Sequence, residues 1–239
     1  MKISTLALTG LLLAAAAQGA VPRQNDDGPD VTEEGLVRVP SGSKVGVYRL
    51  PVATFTQYQS VMFGPIEVVF KKGWERNHKE LTKKDRDTLR WQLASLLRAE
   101  LVKELVDRGG YRLTKEPSPE TLKVTASILE TDVTAPNASQ AMDKRTFVSS
   151  AGSMKVVVEL HDAASGVLIG RLINYEMAPD HGDVRPSLTR PYWPPPATNI
   201  NTLADFRLGF ETSARYTHEA LSVARAEKRE EQSQIKTEN

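Results

Sequence analysis

"SMKVVVELHDAASGVLIGRLINYEM" runs from Ser153 to Met177 and decides how the rest of the chain is read. Met154, Val156, Val158 and Leu160 alternate with Lys155, Glu159 and His161. That period of two belongs to a strand with one buried and one wet face. Asp162–Gly166 supplies turn residues, and Gly166 is the position best suited to a positive φ. Val167–Met177 then returns as a second strand, so an antiparallel hairpin is expected.

Outward from the hairpin, "TLKVTASILETDV" places Leu122, Val124, Ala126 and Ile128 on one strand face, and Thr134–Arg145 reads as a loop. Upstream, "KVGVYRL" and "PIEVVF" (Pro65–Phe70) read as short strands and "YRLT" (Tyr111–Thr114) as another. A long helix lies between. Thr82 and Asp85 form a T-x-x-D capping signal, and Leu89, Leu93, Leu96, Leu97 and Leu101 recur at helical spacing. Gly109-Gly110 stops it, giving a rod of about 36 Å over Asp85–Arg108. After a proline-rich stretch, Leu203, Phe206, Phe210, Ala214, Thr217, Leu221 and Ala224 form a second helical stripe, with Glu211 and Arg215 spaced to pair on its exposed side. The expected class is α+β, a mostly antiparallel sheet of about five strands with two long helices packed on one face.

Composition narrows function. The 239 residues carry 31 basic and 30 acidic side chains, a formal net charge of +1, which gives no overall pull toward nucleic acid. Cysteine is absent, so disulfides, thiolate metal sites and cysteine nucleophiles are excluded. Lys2 followed by the apolar run Leu6–Ala17 reads as an export signal over residues 1–19, cleaved after Ala17 or Gly19. The run is shorter than the roughly 20 apolar residues a spanning helix needs, although a retained N-terminal anchor is the alternative reading. Residues 20–44 are rich in Asp, Glu, Gly and Ser and read as a flexible lead-in. A single domain is expected over 45–226, then a charged tail over 227–239 with little to bury. The mature chain is expected to be periplasmic or secreted, with no transmembrane segment.

No G-x-S-x-G elbow, Walker loop or G-x-G-x-x-G fingerprint is present. His78, His161, His181 and His218 are scattered and form no H-x-x-x-H pair, so no metal and no cofactor is expected. His78 and His218 read as surface residues, and Trp74 and Trp91 as packing residues. Glu130 and Asp132 fall on one strand face and are a weak acid/base candidate. The most distinctive local feature is "RPYWPPPATN", Arg190–Asn199, where prolines stiffen a loop carrying Arg190, Tyr192 and Trp193. Those three are the candidate contacts for a ligand or partner.

Together, the export signal, "PIEVVF", "LTKKDRDTLRWQLASLLRAELVKEL", "GSMKVVVELHDAASGVLIGRL" and the terminal amphipathic helix resemble the bacterial domain-of-unknown-function family 3313, over roughly Val45–Ala226. The resemblance implies an envelope protein of the lipoprotein kind and supplies no catalytic residues. One departure stands out: "LLLAAAAQGAV" has a lipobox-like run without the cysteine that would take the lipid, so release is expected where relatives stay tethered. Two functions follow from different classes. The first is a non-catalytic envelope module that binds an envelope protein or polymer. The second is a hydrolase or transferase whose site gathers His161, His181, Asp183 or nearby carboxylates from separate strands and the 178–199 loop.

Overall fold

A computed structural model describes residues 28–41, 45–133, 152–177 and 199–237. In chain order the elements are β1 (Val37–Val39), β2 (Gly46–Arg49), β3 (Ser60–Phe70), α1 (Trp74–Asn77), α2 (Lys83–Val102), β4 (Arg112–Leu113), β5 (Thr121–Val133), β6 (Gly152–Asp162), β7 (Leu168–Met177) and α3 (Asn199–Thr237). A π-helical stretch, Lys103–Arg108, continues α2 without a break. The class is α+β, as expected.

The hairpin forms as its alternation demands. Asp162 holds the turn by accepting from the Ser165 backbone and hydroxyl at 2.7 Å each, and Gly166 takes φ 75°. Met154, Val156, Val158 and Leu160 turn inward with Leu122, Val124, Ala126 and Ile128 of the neighbouring strand. The sheet is larger than expected and mixed. Seven strands lie in the order β1-β2-β7-β6-β5-β3-β4, and β3 pairs in parallel with both β5 and β4. Parallel pairing follows because α2 carries the chain back along the sheet before β4 and β5 begin.

Two boundaries differ from the sequence reading. The sheet starts inside the stretch read as flexible lead-in, since β1 pairs with β2 and Leu36 beside it is fully buried. Three residues followed by Pro40 are too short to show a period. β3 begins at Ser60 and runs through Gly64-Pro65 as a bulge, where its register with β5 shifts between Phe63 and Ile66. Proline is tolerated there because a bulge releases its missing donor, and Arg98 of α2 donates to the Phe63 and Gly64 carbonyls at 3.2 and 3.3 Å.

The capping box at α2 is complete, with Thr82 and Asp85 bonding reciprocally. Leu89, Leu93, Leu97 and Leu101 are buried and Leu96 packs at their margin. On α3, Phe206, Phe210, Ala214, Thr217, Leu221 and Ala224 are buried as the stripe requires. The two helices pack together, α2 over β3 and α3 over β6 and β7. No helix among the described residues is long and apolar enough to cross a membrane.

Candidate functional site

Sheet width and helix width do not match, and a groove results. Seven strands at about 4.8 Å spacing make a sheet about 29 Å across. Two helices, each about 10 Å wide, cover about 20 Å of it. With α3 over β6 and β7, the overhang falls on β2 and β1, which have no helix above them among the described residues. Between this edge and the second half of α3 lies a groove of about 410 Å³.

Its walls are Val39, Val47 and Leu172 from the sheet and Ala220, Val223 and Ala224 from α3. Small residues create the space. Gly170 forms part of the floor, where an added Cβ would sit 3.3 Å from Leu160 and 3.5 Å from the Tyr48 carbonyl. Val223, at the helix side, is 54% exposed.

Arg49 and Tyr216 also line the groove, and several other polar groups around it are bonded elsewhere. The Ser41 hydroxyl donates to the Val45 carbonyl at 2.6 Å, and Thr217 donates back to the Ser213 carbonyl at 2.9 Å. Arg171 reaches the lining from β7, but its guanidinium binds Glu159 at 2.8 Å and Glu34 at 2.7 Å. Glu219 pairs with Arg215 at 3.8 Å on the exposed side of α3. The buried side-chain polar atoms without a hydrogen bond among the described residues are the Tyr111 hydroxyl and Arg225 Nε, and neither lines the groove.

A row of charged side chains lies on the opposite face of the sheet. There Arg38, Tyr48, Arg171, Glu159 and Thr125 form one row across five strands. Residues 28–36 fold along this side: Arg38 donates to the Gly28 carbonyl at 3.0 Å, and Glu34 binds Arg171. The Arg171 hydrogen bonds, with a smaller one from Thr32, hold the Glu34 carboxyl down at about 2. His161 lies 3.5 Å from Glu159 and has its other ring nitrogen 3.3 Å from the Gly166 carbonyl. It therefore belongs to this row and the hairpin turn, on the face away from the groove. Nearby, Tyr58 donates to Asp162 at 3.1 Å, and burial together with that carboxylate pushes its hydroxyl up to about 12.

The expected Glu130–Asp132 pair does not share a pleat. A bulge interrupts β5 between Leu129 and Asp132, Glu130 takes φ 51°, and Asp132 binds Lys71 at 3.3 Å. Trp74 is buried as expected, stacked on Phe70 at 4.1 Å and donating to the Val133 carbonyl at 3.0 Å. Trp91 is not a packing residue, being 70% exposed off the leucine stripe. His78 stacks on Trp74 at 4.3 Å and so is no free surface residue.

Two acidic residues that the leucine pattern concealed are buried where α2 meets α3. Glu100 accepts from Arg207 at 2.7 Å and from Lys103 at 3.2 Å, and Lys103 also reaches Glu211 at 3.3 Å. Glu211 is thus engaged across the seam, and the expected pairing with Arg215 gives way to Arg215–Glu219. Glu104 binds Arg108 at 2.6 Å and has His218 at 3.8 Å. His218 is only partly exposed, fitted against Gly109, where an added Cβ would come within 3.3 Å of its ring. Spacing is the signal that was available: Glu100 and Glu104 are four apart, beside Leu97 and Leu101 on the same helical face.

Arg190, Tyr192 and Trp193, along with His181 and Asp183, lie outside the described residues. Among those described, no group of three His, Asp or Glu side chains is placed to hold a metal ion.

The chain belongs to the family described as protein of unknown function DUF3313, whose model matches residues 31–176. That span contains all seven strands and stops before α3. A search of curated proteins finds no match. Among solved structures, the chain is similar to a single-substitution variant of the PelC dodecamer from Paraburkholderia phytofirmans. Identity is 8% and the TM-score 0.38, over 73% of this chain and 97% of that one. A Xanthomonas campestris protein of DUF330 is 8% identical with a TM-score of 0.36, over 75% of this chain and 92% of that one. A protein of Helicobacter pylori, described as a homologue of a neuraminyllactose-binding hemagglutinin, is 12% identical with a TM-score of 0.33, over 77% and 92%.

Proposed function

We propose that this protein is an exported, non-catalytic binding module of the bacterial envelope, and that the groove between the β1–β2 edge and α3 is where it holds an apolar ligand or partner. One observation carries the reading. The groove of about 410 Å³ is mostly apolar, and Arg171 and Glu219 at its wall have their charges engaged away from it, which suits holding and not bond-breaking. The short signal-like run at residues 1–19 supports export, and its missing cysteine supports release into the periplasm.

Two measurements test this. Intact mass and N-terminal sequencing of the protein expressed with its own leader are expected to show a mature start after Ala17 or Gly19. A product retaining Met1 would overturn release. For binding, p-benzoylphenylalanine placed at position 223 is irradiated in cells and compared with the same group at position 91, on the exposed side of α2. An adduct formed at 223 and not at 91 is expected; equal labelling at both would reject the groove.

A further inference from the structure

We infer that the groove takes one unbranched alkyl chain of an amphiphile, whose polar head stays in water at the mouth. This rests on the groove being the binding site and adds the chemistry of its occupant. The first argument is hydrogen-bond demand. Strands β2 and β7 pair with each other along the floor, so their backbone groups are satisfied by the ladder. The Ser41 and Thr217 hydroxyls are spent on backbone carbonyls. An occupant bearing buried donors or acceptors would find few partners and lose its own hydration. A hydrocarbon chain loses nothing of that kind.

Size is the second argument. The groove's volume of about 410 Å³ lies in the lower part of the range for small-molecule sites, roughly 300–1,000 Å³. Floor and wall residues Gly170, Ala220 and Ala224 narrow the choice further, since they make a slot that suits methylenes and not a ring system with polar edges.

Charge at the mouth is the third. Arg49 and Glu219 both line the groove and bring one charge of each sign. Such a rim offers no net preference for an anionic or a zwitterionic head, and charges open to solvent contribute little. Recognition therefore resides in the chain, and free fatty acids and single-chain phospholipids share it.

The test uses the mature full chain and cis-parinaric acid, whose fluorescence rises on entering an apolar site. Saturable binding is expected, displaced by palmitate and by lysophosphatidylethanolamine with midpoints within about threefold of each other, and far less by octanoate. Displacement by one head class and not the other would overturn the claim that the chain alone is read. Ala220→Trp is expected to weaken binding at least about tenfold by filling the slot. Val223→Trp, at an exposed position that cannot disturb the core, tests the same volume if Ala220→Trp fails to fold. Tyr175→Ala on the opposite sheet face is expected to bind as the parent does. No saturable binding, or binding by both tryptophan variants as tight as the parent's, rejects the inference. A protein adduct at position 223 without alkyl binding would sink the alkyl chain and leave a binding module standing; neither adduct nor alkyl binding would sink both.

Discussion

The two flanks of α3 solve the same problem in opposite ways. On one flank α2 lies alongside, and Glu100 and Glu104 are buried with their charges met by Arg207, Lys103 and Arg108. On the other flank no helix lies alongside among the described residues, and the surface is largely alanine and valine over a strand edge. Buried carboxylates fix which residues of the helices face each other, because a slip of one turn would strand a charge without a partner. An apolar wall specifies no such register. The difference teaches that the closed flank sets the position of α3 and the open flank uses it.

The most damaging way to break this comparison is to remove what both flanks share. Phe210, on the inward face of α3, is fully buried, and Phe210→Ala is expected to cost about 3–5 kcal/mol in chemical denaturation, from lost burial and the cavity left behind. Next is the seam. Arg207→Ala leaves Glu100 with Lys103 alone and is expected to lower the denaturation midpoint by less than Phe210→Ala does, because the guanidinium is largely exposed and its charge is screened by solvent.

A pH series sharpens the same point. Burial alone raises the Glu100 carboxyl, but the Arg207 and Lys103 bonds outweigh it and hold it below its ordinary 4.5. The unfolded chain therefore takes up this proton first, and the seam's stabilisation is present above the ordinary carboxylate range and lost as pH falls through the folded value. Glu100→Gln is expected to flatten that acid limb of the stability curve, while Val223→Ser on the open flank leaves it unchanged. The smallest effects belong to exposed apolar residues. Val223→Ser and Trp91→Ser are expected to shift stability by no more than about 0.5 kcal/mol, read from the same denaturant curves.

Local signals carried much of the fold. The hairpin's alternation, Gly166 and the Thr82–Asp85 cap each depend on a few neighbouring residues, and each formed as its pattern demands. Strand order was less accessible. Nothing inside "PIEVVF" says that it will lie parallel to β5, because that follows from where α2 returns the chain. β1 is too short for a period, and the bulge at Glu130 breaks one that Thr121–Ile128 keep faithfully. The groove was the least legible feature, since it comes from a sheet wider than its helical cover and not from any motif. Its residues are ordinary alanines, valines and a glycine, whereas Arg190, Tyr192 and Trp193 drew notice through an unusual composition and fall outside the described residues.

The clamp of Glu34 on Arg171, with Gly28 held by Arg38, fixes the side from which the chain enters the domain. That side is the sheet face turned away from the helices. A support that gripped this protein at Gly28 itself would therefore stand beside the charged row, with the mouth beside Val223 on the other side of the sheet. Orientation of this kind matters for any immobilised assay: attachment at Gly28 presents the groove, whereas attachment beyond α3 comes from the helix that forms one of its walls.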